Sequence, residues 1–411
     1  MPDTFDVLIL GAGPAGSSLA IRMARAGFSV ALADRKRFPR PKPCGEFLSP
    51  ECVPLLDDLG IDDLVSNHGA REVAGMRLFG YEHAAVGFFR DVGRSATPFA
   101  GGGLAIRREI LDHELVLEAE RNPNVTWLEG HTFHSLVRDG SQRVVGAVLR
   151  APDRSDREIR ARWTVGADGV RSRAARELGV QRRIGWLDKF ALTSRFSNVT
   201  TASTAEVHMF PGGYFAAAPV EEGTLSVNLI VDRGRLRERD GDWDDFFAEH
   251  LARVPEFAER LQAAVRTDPV RGIGPLAYTT TAQTAPGIAL VGDACGYVDP
   301  ITGEGVYFAL RGAELLAEGL ETALHQPAAE ARTMRRYTRA RRHEIGPRLW
   351  VAKLLQRGLR HEGITRRVLG ALESRPGLAD LLVSFTGDYV RFRDVLRPGV
   401  WRRALSVREA S

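Results

Sequence analysis

Near the start of the 411-residue chain stands DVLILGAGPAGSSLAIRMARAGFSVALAD, Asp6 to Asp34, which leaves little freedom for what can be built around it. Val7 to Leu10 form a continuous apolar run, as in a strand buried on both faces of a parallel sheet. Gly11, Gly13 and Gly16 follow at GxGxxG spacing, with Pro14 and Ala15 between them. Ala15, Leu19, Ala20 and Met23 then recur at helical spacing until Gly27 ends the helix. A second apolar strand, VALA, leads to Asp34 and Arg35. Strand, glycine-rich turn, helix, strand and terminal acid make a dinucleotide-binding unit, with pyrophosphate on the helix N-terminus and Asp34 on an adenosine ribose hydroxyl. The unit alone does not separate a nicotinamide from a flavin dinucleotide.

The chain exceeds what one hydrophobic core supports, so two packed modules and a smaller third element are expected. With 44% apolar and 26% charged residues, the composition is that of a folded chain. Cys44, Cys52 and Cys295 are too few and too irregularly spaced for a disulfide framework or a zinc site, which points to reduced thiols and no metal. The first residues carry acids where a signal peptide carries Lys or Arg, and no apolar run reaches the length of a bilayer span. A cytoplasmic protein is therefore expected. Net charge is only +4, yet arginine is concentrated in RTMRRYTRARRHEIGPRLWVAKLLQRGLRHEGITRRV. That run reads either as a solvated helical face or as a basic, apolar-striped helix pair making peripheral contact with anionic lipid. Nucleic acid is disfavoured because aromatics that would stack bases are sparse there. The oligomeric state is not legible.

Three further segments follow in order. RPKPCGEFLSP leads to GGLAIRREILDHELVLEA, a strand end entering a helix with Arg107 and Arg108 at its mouth. ARWTVGADGVRSRAARELG reads as a strand, a tight Asp168-Gly169 turn and a helix beginning near Ser172. PGIALVGDACGYVDPITGEGVYFALRGAELLAEGL reads as a strand, a Gly- and Pro-broken loop from Gly292, and a helix. With GxGxxG, R-x-x-L-D at Arg108, GADGxxS and GDAxGxxxPxxGEG in this order, the chain resembles the FAD-dependent oxidoreductases of the para-hydroxybenzoate hydroxylase superfamily. Within it the geranylgeranyl reductase-like branch is most similar, and the resemblance covers roughly residues 5 to 325.

The resemblance implies FAD as cofactor, with NADPH or NADH as electron donor and a separate reductase as the open alternative. Gly11, Gly13, Pro14, Ala15, Gly16, Asp34, Arg35 and Arg108 would hold the cofactor, and Asp168 and Gly169 would support the pyrophosphate region. Asp293, after Gly292, would bond a ribityl or ribose hydroxyl. Pro300, Gly303, Glu304 and Gly305 would bring the next helix's positive end to the flavin ring, stabilising the anionic reduced form. Glu304, repelled by that charge, is expected to turn away and brace the loop, and Cys295 to pack as a small apolar residue. Cys44 and Gly45 would lie close to the isoalloxazine, which makes Cys44 a catalytic candidate beside the alternative of a buried structural thiol. Lys42 either meets phosphate or is solvated.

The expected fold class is α/β, α+β overall: a Rossmann-like FAD-binding domain, a mixed antiparallel β-sheet substrate domain and C-terminal helices. Residues 1–182 form the first part of the FAD-binding domain, with substrate-domain strands inserted around 70–104. Residues 183–275 form the antiparallel-sheet substrate domain, 276–325 the second part of the FAD-binding domain, and 326–411 a helical region, either lid or packing support. Short alternating strands in 188–234 indicate an antiparallel sheet with one face solvated or lining a cavity, and the resemblance implies that this sheet roofs the substrate pocket. Tyr214 is the second catalytic candidate, and His208 a further polar contact. The chain departs from the reductase pattern where YxWxFP is replaced by Tyr214-Phe215-Ala216-Ala217-Ala218-Pro219, which implies a roomier pocket. WxWxIP, the mark of tryptophan-type halogenases, is absent, and no lysine is placed to form a chloramine.

Two chemistries follow from the resemblance. One is hydride transfer between flavin N5 and a carbon-carbon bond of a small apolar lipid-, isoprenoid- or polyketide-like substrate. The other is a monooxygenase that hydroxylates or epoxidises an aromatic or polyketide substrate through a C4a-hydroperoxide. Cys295-Gly296, where such hydroxylases carry a His after GDAA, favours the first. A flavin-binding module without turnover is the third reading.

Overall fold

The computed structural model describes residues 4–90, 101–237, 241–387, 395 and 397–406. The strand Thr4–Leu10 lies between Val30–Asp34 and Asp156–Gly166, parallel to both. Val7, Leu8 and Ile9 are fully buried, because side chains alternate to opposite faces of the strand and both faces are covered. Val125–Glu129 and Ile288–Leu290 extend this parallel sheet at its two ends. The helices Pro14–Arg25, Arg108–Glu120 and Gly305–His325 pack on one face around Leu19, Leu111, Leu115 and Leu316. The other face is closed by an antiparallel meander, Thr132–Arg138 and Val144–Arg150, with the outer half of the long strand Asp156–Gly166.

A second sheet is built mainly from Lys189–Ser197, Thr204–Phe210, Gly213–Glu221 and Thr224–Asp232. The three pairs among its central strands are antiparallel, with registers such as Ala191↔Ile230, Ala216↔Asn228 and His208↔Phe215. Gly75–Gly80 joins it parallel to Thr204–Phe210, and His83–Phe88 closes that edge. The outer face packs Leu192, Phe215, Leu229 and Val231 against Phe246, Phe247 and Phe257. The inner face carries the alternate residues Ala216, Ala218, Asn228 and Ile230 toward the first sheet's loops.

The C-terminal region is helical: Glu330–Glu344, Gly346–Leu359, Glu362–Glu373, Pro376–Thr386 and Pro398–Ser406. Pro376 and Pro398 each stand at the first helical position, where a missing N–H costs nothing. Helix Pro376–Thr386 lies against the edge strand His83–Phe88, where Phe88 N donates to Asp380 Oδ1 at 2.7 Å. The stretch Asp388 to Asp394 in SFTGDYVRFRDVLRP lies outside the described residues, as do Asp91 to Ala100 within the segment around 70–104. No helix among the described residues is long and apolar enough to cross a membrane.

Candidate cofactor and substrate site

The glycine-rich turn does three different jobs. Gly11 has φ +111°, a conformation open to glycine. A Cβ on Gly16 would collide with the Gly11 carbonyl, so glycine at this position is what lets the helix lie this close to the strand end. A Cβ on Gly13 would meet nothing nearer than Arg40 Nη2 at 3.9 Å, and would project into the open space before the helix. Gly13 is the N-cap of helix Pro14–Arg25 and provides no side-chain cap. The free N–H groups of that first turn therefore face a cleft shaped for an anion.

Asp34 closes this cleft. Its Oδ2 accepts from Ala12 N at 3.0 Å and its Oδ1 from Lys36 N at 2.8 Å, which fixes the carboxylate with lone pairs to spare for a diol. Arg35 is exposed beside it. Arg40 Nη2 stands 3.9 Å from Asp34 and 3.4 Å from Asp112, and Arg40 Nε is buried without an acceptor among the described residues. A buried cationic donor left open beside a helix N-terminus and a sugar-binding carboxylate fits a dinucleotide pyrophosphate. Sequence reasoning passed over Arg40; its signal is a loop cation after the second strand, visible only once the loop folds back.

Beyond the turn, one cavity is bounded by the Lys42–Phe47 loop, Arg108, Gly169, Asp293, Tyr297, Pro300, Gly303 and Gly305. Pro14 and Ala15 also line it. Arg108 is buried, paired to Asp112 through Nε at 2.7 Å and Nη2 at 2.9 Å, and its Nη1 donates to Cys44 Sγ at 3.2 Å. Burial pushes the Asp293 carboxyl above the ordinary range, against the pull of Lys42, Arg108 and Arg341. Burial, with Arg108 nearby, lowers the Lys42 ammonium. Lys42 thus belongs to the cavity wall. Asp168 takes another position: its Oδ2 accepts from Arg173 N at 2.6 Å and Ala174 N at 3.1 Å, starting a short helix, and burial raises its pKa. Gly169, at φ +76°, presents the turn to the cavity.

The loop ending in Gly305 brings the first turn of the 21-residue helix Gly305–His325 to the cavity. Glu304 precedes it and makes no side-chain cap. It turns away, and Arg348 Nη1 donates to its Oε1 at 2.5 Å and to Glu51 Oε1 at 2.6 Å. A Cβ on Gly305 would meet only Tyr297, at 3.9 Å. Open N–H groups at a positive helix end, beside a loop that leaves room for a flat ring, fit the pyrimidine side of a flavin. Cys295 is buried in a small apolar cluster with Ala174, Ala175 and Leu290.

The roof over this loop is apolar: Ala191, Ala205, Val207, Ala216, Ala218 and Ile230 line it. Asn228, 4% exposed, is the polar side chain that alternation turns inward, its Nδ2 donating to Ala216 O at 3.3 Å. Neither polar candidate read from this sheet lines the cavity. Tyr214 lies toward the strand's start, fully buried, and its Oη donates to Asp299 Oδ1 at 2.6 Å, where Gln356 Nε2 also donates at 2.6 Å. Burial, then the Asp299 charge, raises its pKa well above the ordinary phenol value. His208 faces the outer side, stacked between Phe79 and Phe257, with Nε2 2.9 Å from Glu206 Oε2. Tyr297 was not singled out in the sequence; it reaches the cavity because the short strand Gly296–Tyr297 pairs with Tyr278–Thr280. Among the described residues no group of three or more His, Cys, Asp or Glu is placed to hold a metal ion.

The family model described as FAD binding domain matches residues 4–349. The chain is 29% identical over 353 residues to digeranylgeranylglycerophospholipid reductase 2 of Methanopyrus kandleri, covering 83% of each. It is 26% identical over 348 residues to tryptophan 2-halogenase of Chondromyces crocatus, covering 79% of this chain but 62% of that protein's length. Among solved structures, the myxobacterial chondrochloren halogenase CndH superposes with a TM-score of 0.77 at 28% identity, over 85% of this chain and 82% of that one.

Proposed function

We propose that this chain, which belongs to the FAD binding domain family, is an FAD-dependent oxidoreductase that adds hydrogen to, or removes it from, a carbon-carbon bond of an apolar substrate. The observation that carries this reading is the roof of Ala191, Ala205, Val207, Ala216, Ala218 and Ile230 facing the Gly303–Gly305 loop. An apolar ceiling excludes water from the reacting carbons. Hydroxylation of a phenol needs a base near the ring hydroxyl, and the titratable roof residue that borders the cavity is Glu206. Glu206 spends its carboxylate on Arg260, at 2.8 and 3.0 Å, and on His208. A halogen carrier would need an ammonium on the roof. Lys42 stands instead on the opposite wall, and Lys189 is 5.3 Å from the Tyr214 ring centre.

When bound, FAD supplies a hydride donor or acceptor at its N5. Gly13 and the first turn of helix Pro14–Arg25 bind the pyrophosphate with Arg40, and Asp34 takes the ribose. Gly305 and the helix behind it support the ring's carbonyl side. Reduction of a carbon-carbon double bond also requires a proton. Tyr297, which borders the cavity with its ring beside Gly305, would supply it from Oη; burial, reinforced by Asp293 and Asp299, raises its pKa and keeps the phenol protonated. Cys44 Sγ is directed to Arg108 instead. A nicotinamide or a separate reductase delivers the electrons.

The test is product mass. Holoenzyme with an electron donor and an apolar polyene is expected to yield a product heavier by two hydrogens; a product heavier by one oxygen atom would overturn the reading.

A further inference from the structure

Alternation along the roof strands carries the inner face of the sheet past the flavin-side cavity. Ala191, Ala216 and Ile230 line that cavity. Two residues further along their strands the same face presents Lys189, Tyr214 and Asp232. These three line another cavity, of about 130 Å3, whose opposite wall is Leu359, Arg360 and Glu362, where helix Gly346–Leu359 ends and helix Glu362–Glu373 begins. Lys189 is 4% exposed, and its ammonium stands 5.3 Å from the centre of the Tyr214 ring. It has no hydrogen bond or ion pair to any described residue, a costly state for a buried charge. Asp232 is its direct neighbour across the strand pair, close enough for opposite charges to meet, yet the two form no ion pair and both border the cavity instead. Glu362 likewise has no ion-pair partner among the described residues. Arg360 Nη1 donates to Trp186 O at 2.6 Å, which holds the fourth charge at the rim. Tyr214 spends its hydroxyl on Asp299 and offers the cavity only its ring.

We infer that this cavity binds a small zwitterion of the α-amino acid type, with its carboxylate on Lys189 and its ammonium on Asp232, while Arg360 and Glu362 frame the mouth. Two cations face two carboxylates across the space, so an occupant that is neutral overall but carries both charges leaves none of them unmatched. A simple anion would satisfy Lys189 and set a second negative charge against Asp232, and a simple amine would do the reverse. The size of the ligand follows from volume. A cavity of about 150 Å3 takes one benzene, so about 130 Å3 takes about five or six non-hydrogen atoms. Glycine and alanine are of that size, and a longer side chain would have to leave through the rim at Arg360 and Glu362.

The experiment titrates holoenzyme with L-alanine in a calorimeter, beside propionate and ethylamine, which carry one of its two charges each. Alanine is expected to bind saturably in the millimolar range or tighter, with propionate and ethylamine weaker by about tenfold or more. Lys189→Met is expected to weaken alanine about 10- to 100-fold, with retained flavin absorbance showing that the variant is folded. Should that variant fail to fold, Asp232→Asn at a half-buried position tests the same site and is expected to abolish the preference for alanine over propionate. Propionate or ethylamine binding as tightly as alanine, unchanged alanine affinity in a folded, flavin-containing variant, or no saturable binding of alanine to the wild-type protein overturns the inference.

Discussion

Glu46 Oε1 lies 2.5 Å from Arg195 Nη2, and the two residues join the loop beside the flavin site to the roof above it. Glu46 has φ +55° and is 2% exposed, a conformation a side chain adopts only when its surroundings hold it. They do: its Oε1 also accepts from Arg108 N at 3.0 Å, and its Oε2 from Arg195 Nε at 2.9 Å. Arg195 in turn reaches Glu109 and Asp268.

Removing either partner has unequal consequences. Arg195→Met takes the buried cation from the enclosed Glu46 carboxylate, which keeps the Arg108 N–H, while Glu109 and Asp268 keep Arg107 and Arg271; it should cost about 3–5 kcal/mol. Glu46→Ala leaves Arg195 with Glu109 and Asp268 and should cost less, about 2 kcal/mol. Chemical denaturation of both variants checks the order; equal losses would show that the pair does not hold the loop to the roof.

Arg348 places the same kind of clamp at the root of the flavin-side helix, through Glu304 and Glu51. Arg348→Met should free the loop before Gly305 and weaken FAD binding about tenfold. Flavin release followed by fluorescence reads this directly, and unchanged release would mean that the clamp serves only folding.

Arg40 has its own prediction. Its buried Nε lacks an acceptor among the described residues, and a charged hydrogen bond to pyrophosphate contributes about 1.5–3 kcal/mol. Arg40→Ala should therefore weaken FAD about 10- to 100-fold with little change in the stability of the flavin-free protein. Titration of apoprotein with FAD measures it.

Glu206 gives a pH test. Burial pushes its carboxyl up, but His208 and Arg260 more than reverse this, so its pKa in the fold lies below the ordinary 4.5. Between the two values the unfolded chain binds more protons, so stability rises with pH across that window. The contribution is present in full above 4.5 and is lost as pH falls through the folded value. Glu206→Gln should be less stable than wild type near neutrality, and the gap should close in acid. A gap constant with pH would place the loss in packing instead.

Much of the first module is legible in the chain because its signals are local. The apolar run, the glycines at GxGxxG spacing and Asp34 all fall within one strand-helix-strand unit, and the helix start at Ser172 is marked by its own cap, with Ala175 N donating to Ser172 Oγ at 2.9 Å. The roof's alternation was readable as well. What it could not reveal is which end of a strand overlies the loop at Gly303. Tyr214 and Ala216 share a face, two residues apart, yet only Ala216 lines the cavity, while Tyr214 is held under helix Gly346–Leu359 by Asp299 and Gln356. Asn228, Tyr297, Arg195 and Arg348 likewise gain their places from pairings between segments distant in sequence, which no local pattern encodes.

Tyr297→Phe isolates the proton. The variant should keep its FAD and its affinity for apolar ligands, yet turn over about a hundredfold more slowly. An unchanged rate would move the proton source to water or to Cys44.

The measurement that tests the central claim most directly is made without oxygen. Holoenzyme reduced under anaerobic conditions is mixed rapidly with long-chain apolar enones while the flavin absorbance is recorded. Return of the oxidised spectrum in the absence of oxygen, at a rate that depends on the apolar compound, is the predicted result. A flavin that stays reduced with every such compound until oxygen is admitted, and then yields an oxygenated product, would contradict the account.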